Sequence, residues 1–112
     1  MKKSVMFPFF LLLGFGLSPA FAEHEEMLLG IRVDNAGIEF QVASGGCTDK
    51  ENFRIEQKES LPVELKLIRT LEDLCEMNVP YGTFLRYTYK ELGLNQHDRF
   101  HVANRLGSVY IK

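Results

Sequence analysis

Between residues 28 and 43 apolar and polar side chains alternate in two runs separated by a turn, and this two-residue period constrains the fold more than any other feature. Leu29, Ile31 and Val33 alternate with Gly30 and Arg32, and Ile38, Phe40 and Val42 with Glu39, Gln41 and Ala43. Successive side chains of a strand point to opposite faces, so each run is the pattern of a half-buried strand. Asp34-Asn35-Ala36-Gly37 between them offers residues that tolerate the positive φ of a tight reversal. A β-hairpin over residues 28–43 follows.

The same period continues downstream. Phe53, Ile55 and Gln57 share one face, and Leu61, Val63, Leu65 and Leu67 repeat the alternation. Leu61, Leu65, Ile68, Leu71 and Cys75 also match a helical stripe that Ser60 and Pro62 would start. A strand over 63–69 is the preferred reading, because it pairs with 52–58 across residues 59–62. Residues 70–77 are left as a loop or one helical turn, and 78–82 as a turn. Residues 83–89 are β-prone, 90–94 fit a short helical turn ended by Gly93, and 99–103 and 108–111 read as two last strands. About seven short strands with regular turn signals predict an all-β fold, a small antiparallel sandwich or barrel with one short helical turn. The expected core is Leu29, Ile31, Val33, Ile38, Phe40, Val42, Phe53, Ile55, Leu65, Leu67, Phe84, Phe100, Val102, Val109 and Ile111.

Residues 1–22 predict a cleavable signal peptide: Lys2 and Lys3, an uncharged Phe/Leu-rich run, then Ala20 and Ala22 at the small-residue positions. The apolar run of about 13 residues is short of the roughly 20 that span a bilayer as a helix, so no membrane insertion is expected after cleavage. Residues 23–112 then form a single exported β-domain, periplasmic or secreted, whose first residues, 23–26, read as a mobile charged leader. Of 13 Lys and Arg, Lys2 and Lys3 leave with the signal, so 11 basic residues face 15 acidic ones. Nucleic acid requires a cationic face, and no basic cluster provides one.

A domain of this size buries a modest share of its surface and gains from a covalent brace. Cys47 and Cys75 are the two cysteines of the chain. In an oxidising compartment they predict a structural disulfide. Neither forms a Cys-x-x-Cys pair nor has a neighbouring His, which argues against redox or thiolate-metal roles.

Candidate chemistry is sparse. His24 beside the new N-terminus, and His97 with His101 four residues on, are candidate metal ligands. In a strand, however, His97 and His101 would stand roughly 13 Å apart. Ser44, Ser60 and Ser108 lie in no nucleophile elbow, and the carboxylates Glu72, Asp73 and Glu76 read as solvated charge. Recognition is the remaining class. Tyr81, Leu85, Arg86, Tyr87 and Tyr89 are candidates for an aromatic surface that docks a partner, against the plainer reading that Leu85, Tyr87 and Tyr89 are partly buried. Loops 44–50 and 78–82 would flank it. The expected function is noncatalytic binding of a protein or other macromolecule outside the cytoplasm, with hydrolase inhibition as one concrete form. A periplasmic metal or small-ligand binder and a small hydrolase are the alternatives, and no cofactor is expected.

Overall fold

The structure is a computed structural model and describes residues 23–107. The signal segment 1–22, the strand expected over 108–111 and the core positions Val109 and Ile111 lie outside those residues. The described residues are all-β, with seven strands in two sheets and one disulfide. The strands are β1 (His24–Glu25), β2 (Leu28–Val33), β3 (Gly37–Val42), β4 (Phe53–Lys58), β5 (Val63–Arg69), β6 (Thr83–Thr88) and β7 (Phe100–Val102), with one short helix, α1 (Tyr89–Leu92), between β6 and β7.

One sheet runs β2-β3-β6 and is antiparallel throughout. The other runs β1-β5-β4, with β7 alongside β5 in parallel. Their inner faces pack together over a core of Leu28, Ile38, Phe40, Val42, Leu85 and Tyr87 from the first, Phe53, Leu65 and Leu67 from the second, and Tyr89 and Leu92 of α1. Phe40 meets Tyr87 edge to face with centroids 5.7 Å apart, the orientation that aromatic quadrupoles favour.

The hairpin forms as the alternation predicts, but its turn closes differently. Asp34 Oδ1 accepts the amides of Ala36 (2.9 Å) and Gly37 (3.0 Å), and neither Asn35 nor Gly37 has positive φ. A side-chain-capped turn replaces the backbone reversal expected there. Downstream, α1 is closed at its start by Thr88 and Glu91, each accepting the other's backbone amide. Gly93 ends it with φ of 72°, as the sequence predicts.

Four corrections concern phase and ends. A bulge between Leu28 and Gly30 puts Leu28 in the core in place of Leu29. Ile31 and Val33 pair with Phe40 and Ile38 but sit on the sheet's outer strand, where the described residues leave them exposed. In β6 the buried set is Leu85 and Tyr87, and Phe84 is 57% exposed, because Leu85 and Tyr87 stand opposite Phe40 and Ile38 on the inner face. The charged leader is not a free tail: His24 and Glu25 pair with Arg69 and Ile68 as β1.

Between β1 and β7 the edge of β5 is completed by a side chain. The Asn104 amide accepts the Leu67 N–H (2.8 Å) and donates to the Leu67 carbonyl (2.9 Å) and the Glu26 carbonyl (2.7 Å). Asn104 is buried and acts as one rung of backbone between two short strands.

Candidate interaction site

At one end of the sandwich, residues 43–48 after β3 and residues 70–79 after β5 are joined by the Cys47–Cys75 disulfide, with Cα atoms 5.8 Å apart. Gly45 and Gly46 make that approach feasible. A Cβ on Gly45 would fall on the Cys75 carbonyl, and Gly46 has φ of 111°, a conformation that side chains oppose.

Asp73 organises the join. Its Oδ2 accepts the amides of Gly45 (2.8 Å) and Cys47 (3.0 Å) and the hydroxyls of Thr48 (2.5 Å) and Ser44 (3.3 Å). Its Oδ1 accepts the Cys75 amide at 2.9 Å. The Thr48 hydroxyl and these backbone amides hold the carboxyl well below the usual carboxylate range. The Met77 amide donates to the Gly45 carbonyl at 2.8 Å, and Thr70 and Leu71 donate to the Asn52 carbonyl. Residues 70–77 are thus fastened at both ends and in the middle.

Beneath the loop lies a buried ion pair. Arg69 donates through Nε and Nη2 to the two Glu26 oxygens, both at 2.9 Å, and through Nη2 to the Ala43 carbonyl at 3.0 Å. The guanidinium also stacks 4.7 Å over the Phe53 ring. Its bonds to Glu26 raise the Arg69 pKa above its already high ordinary value. One side chain therefore ties the residues following β1 and β3 to the last residue of β5, and gives the loop a rigid seat.

What the seat presents is apolar. Leu74 is 86% exposed and Met77 67% exposed, with Leu71 exposed beside them. Among the described residues the Leu74 N–H and C=O have no hydrogen-bond partner. Glu72 and Glu76 stand exposed on either side.

Cys47 and Cys75 are bonded as the sequence predicts. Tyr81 is exposed, its carbonyl accepting the Gln41 amide at 2.8 Å. Arg86 pairs with Asp34 at 2.7 Å on the outer face of β6. Leu85, Tyr87 and Tyr89 are buried, so the aromatic face expected to dock a partner points into the core, as the hairpin register requires. Burial, with Glu91 nearby, pushes the Tyr87 phenol up to about 12. Asp49, Lys50 and Glu51 line a recess with Phe84 and Arg86, and residues 78–82 lead directly into β6.

His24 lies in β1, its ring nitrogens 3.6 Å from Glu26 and 3.7 Å from Glu72, with Glu26 already committed to Arg69. His97 is exposed in a turn, and His101 is exposed on β7 opposite Glu64. Among the described residues no group of three metal-ligating side chains includes a histidine. Such a group does exist, Cys47, Asp73 and Cys75, but its two sulfurs are spent in the disulfide.

Leu74 escaped the sequence reading. The available signal was Asp73-Leu74-Cys75 itself: a large apolar residue between an acid and a bridging cysteine. No protein-family model, curated protein or solved structure matches the chain.

Proposed function

We propose that this chain is an exported, noncatalytic binding domain that engages another macromolecule through the disulfide-braced loop of residues 71–77. The observation that carries the reading is Leu74: a large apolar side chain held out in water between two fixed neighbours, Asp73 and Cys75. Burying such a side chain is worth roughly 1.5–3 kcal/mol, and a loop already fixed in shape loses little further entropy on docking. Inhibition of a hydrolase is the concrete form that a rigid protruding loop suits best.

Export through residues 1–22, with cleavage after Ala22 and release to the periplasm or medium, belongs to the same proposal. The disulfide, and the absence among the described residues of a helix long and apolar enough to cross a membrane, are compatible with an oxidising compartment.

A photo-crosslinking residue in place of Leu74, with a control in place of the exposed Lys58, tests the reading in the envelope fraction and medium of producing cells. A discrete adduct from position 74, absent from position 58, is expected. No adduct, or the same adduct from both positions, would remove the loop as the binding site.

A further inference from the structure

We infer that residues 72–78 are bound as a substrate mimic in the cleft of an endopeptidase, with Leu74 filling the pocket that reads the residue before the scissile bond. This rests on the binding reading above and names the partner's chemistry.

The argument begins with the shape of the loop. Residues 72–79 contain no helix, turn or bend, and burial alternates from 72 to 76: Asp73 and Cys75 are half-buried, while Glu72, Leu74 and Glu76 are exposed, and Met77 and Asn78 are exposed after them. The Cys75 and Met77 amides turn inward, to Asp73 and Gly45. Residues 72–76 thus show the two-residue period of an extended segment, with Asp73 and Cys75 turned toward the domain and the side that carries Leu74 left open. A cleft that binds peptides by adding a strand needs that open side, and Leu74 offers it an unpaired N–H, an unpaired C=O and a large side chain.

The second step separates an inhibitor from a substrate. Hydrolysis adds water across the Leu74–Cys75 bond, breaking the C–N link to leave a carboxylate on Leu74 and an ammonium on Cys75. Neither new end is free to leave. Cys75 stays tied through its sulfur to Cys47, and Leu74 through the adjoining Asp73, whose carboxylate is bonded to Gly45, Cys47 and Thr48. The two ends remain opposed in the cleft, so product release is slow and resynthesis competes with it.

Side-chain chemistry sets the partner class. A leucine calls for a large apolar primary pocket, as in peptidases of chymotrypsin and subtilisin type, and not for the acidic pocket of trypsin. The loop carries Glu72, Asp73 and Glu76 and, from residue 70 to 78, no Lys or Arg, which favours a cleft with a cationic rim.

The test titrates chymotrypsin, subtilisin and trypsin with disulfide-bonded protein of residues 23–112. Inhibition of the first two at near-stoichiometric protein is expected, with any cleavage confined to the Leu74–Cys75 bond. Leu74→Asp should raise the inhibition constant by roughly 100-fold, as for a central interface anchor, and Leu74→Arg should transfer inhibition to trypsin. Leu74 is exposed, so both variants should keep the parent's circular dichroism spectrum. Rapid cleavage without inhibition, no inhibition of either apolar-pocket enzyme, or inhibition indifferent to residue 74 would each overturn the inference. A crosslinked partner at position 74 that is not a peptidase would overturn it while leaving the binding reading standing; no adduct there sinks both.

Discussion

Asn104→Leu removes three hydrogen bonds from the interior while nearly keeping the side chain's volume. The Leu67 N–H loses its acceptor, and the Leu67 and Glu26 carbonyls each lose a donor. The Leu67 carbonyl keeps one partner, the Glu26 amide at 3.1 Å, so the chief orphan is the Leu67 N–H. Each lost bond is worth about 0.5–1.5 kcal/mol net, and a buried donor left unpaired costs about 1–3 kcal/mol. About 3 kcal/mol of destabilisation is the expected sum. A domain of this size shifts its Tm by about 4–8 °C per kcal/mol, so thermal unfolding followed by circular dichroism should show a fall of roughly 12–24 °C. Asn104→Ala should fall at least as far, because it opens a cavity as well. A fall of less than about 4 °C for Asn104→Leu would refute the view that this amide stands in for a rung of the sheet.

The disulfide closes a loop of 29 residues, and Cys75→Ser should cost about 3–4 kcal/mol in urea unfolding by the chain-entropy relation; a cost near zero would show that Asp73 alone holds the loop. Arg69→Met leaves the Glu26 carboxylate buried without its partner and should cost about 3–5 kcal/mol, whereas Arg69→Met with Glu26→Leu should recover most of that loss. If the double variant is no better than the single one, the ion pair is not the feature being disrupted. Asp73, Asp34 and Glu91 all have pKa values lowered in the folded chain, by Thr48, Arg86 and Lys50 respectively and by backbone amides. Protons therefore bind them more tightly unfolded than folded. Their contribution is complete above about pH 4–5 and is lost as pH falls through the lower folded values. Urea midpoints taken from pH 7 to pH 3 should decline, and Asp73→Asn should flatten part of that decline; an unchanged slope would count against the carboxylate.

The fold was legible wherever a two-residue period met a clear turn signal: the hairpin, β4, β5, β6 and the Gly93 stop all follow from such local patterns. Burial within a strand was less legible. Ile31 and Val33 keep the two-residue period of Leu29, but β2 lies at the outer edge of its sheet, where the described residues leave them exposed, and a bulge brings Leu28 inward instead. For β6, Phe84 and Leu85 are equally apolar, and only pairing opposite Phe40 decides which turns inward. The Asn104 rung and the Arg69–Glu26 pair depend on residues 37 and 43 positions apart, which no local pattern reveals. The candidate site was half legible. Its covalent brace could be read from two cysteines, but Leu74 matters because Asp73 and Cys75 both face the domain, and that is a property of the folded loop.

Backbone ¹⁵N relaxation and amide hydrogen exchange, measured together on protein of residues 23–112, test whether the loop is a rigid presenter of an unpaired strand. Order parameters near 0.85 across residues 72–77, with slow exchange at Cys75 and Met77 and fast exchange at Leu74, are the predicted result. Order parameters below about 0.6, or a protected Leu74 amide, would contradict it.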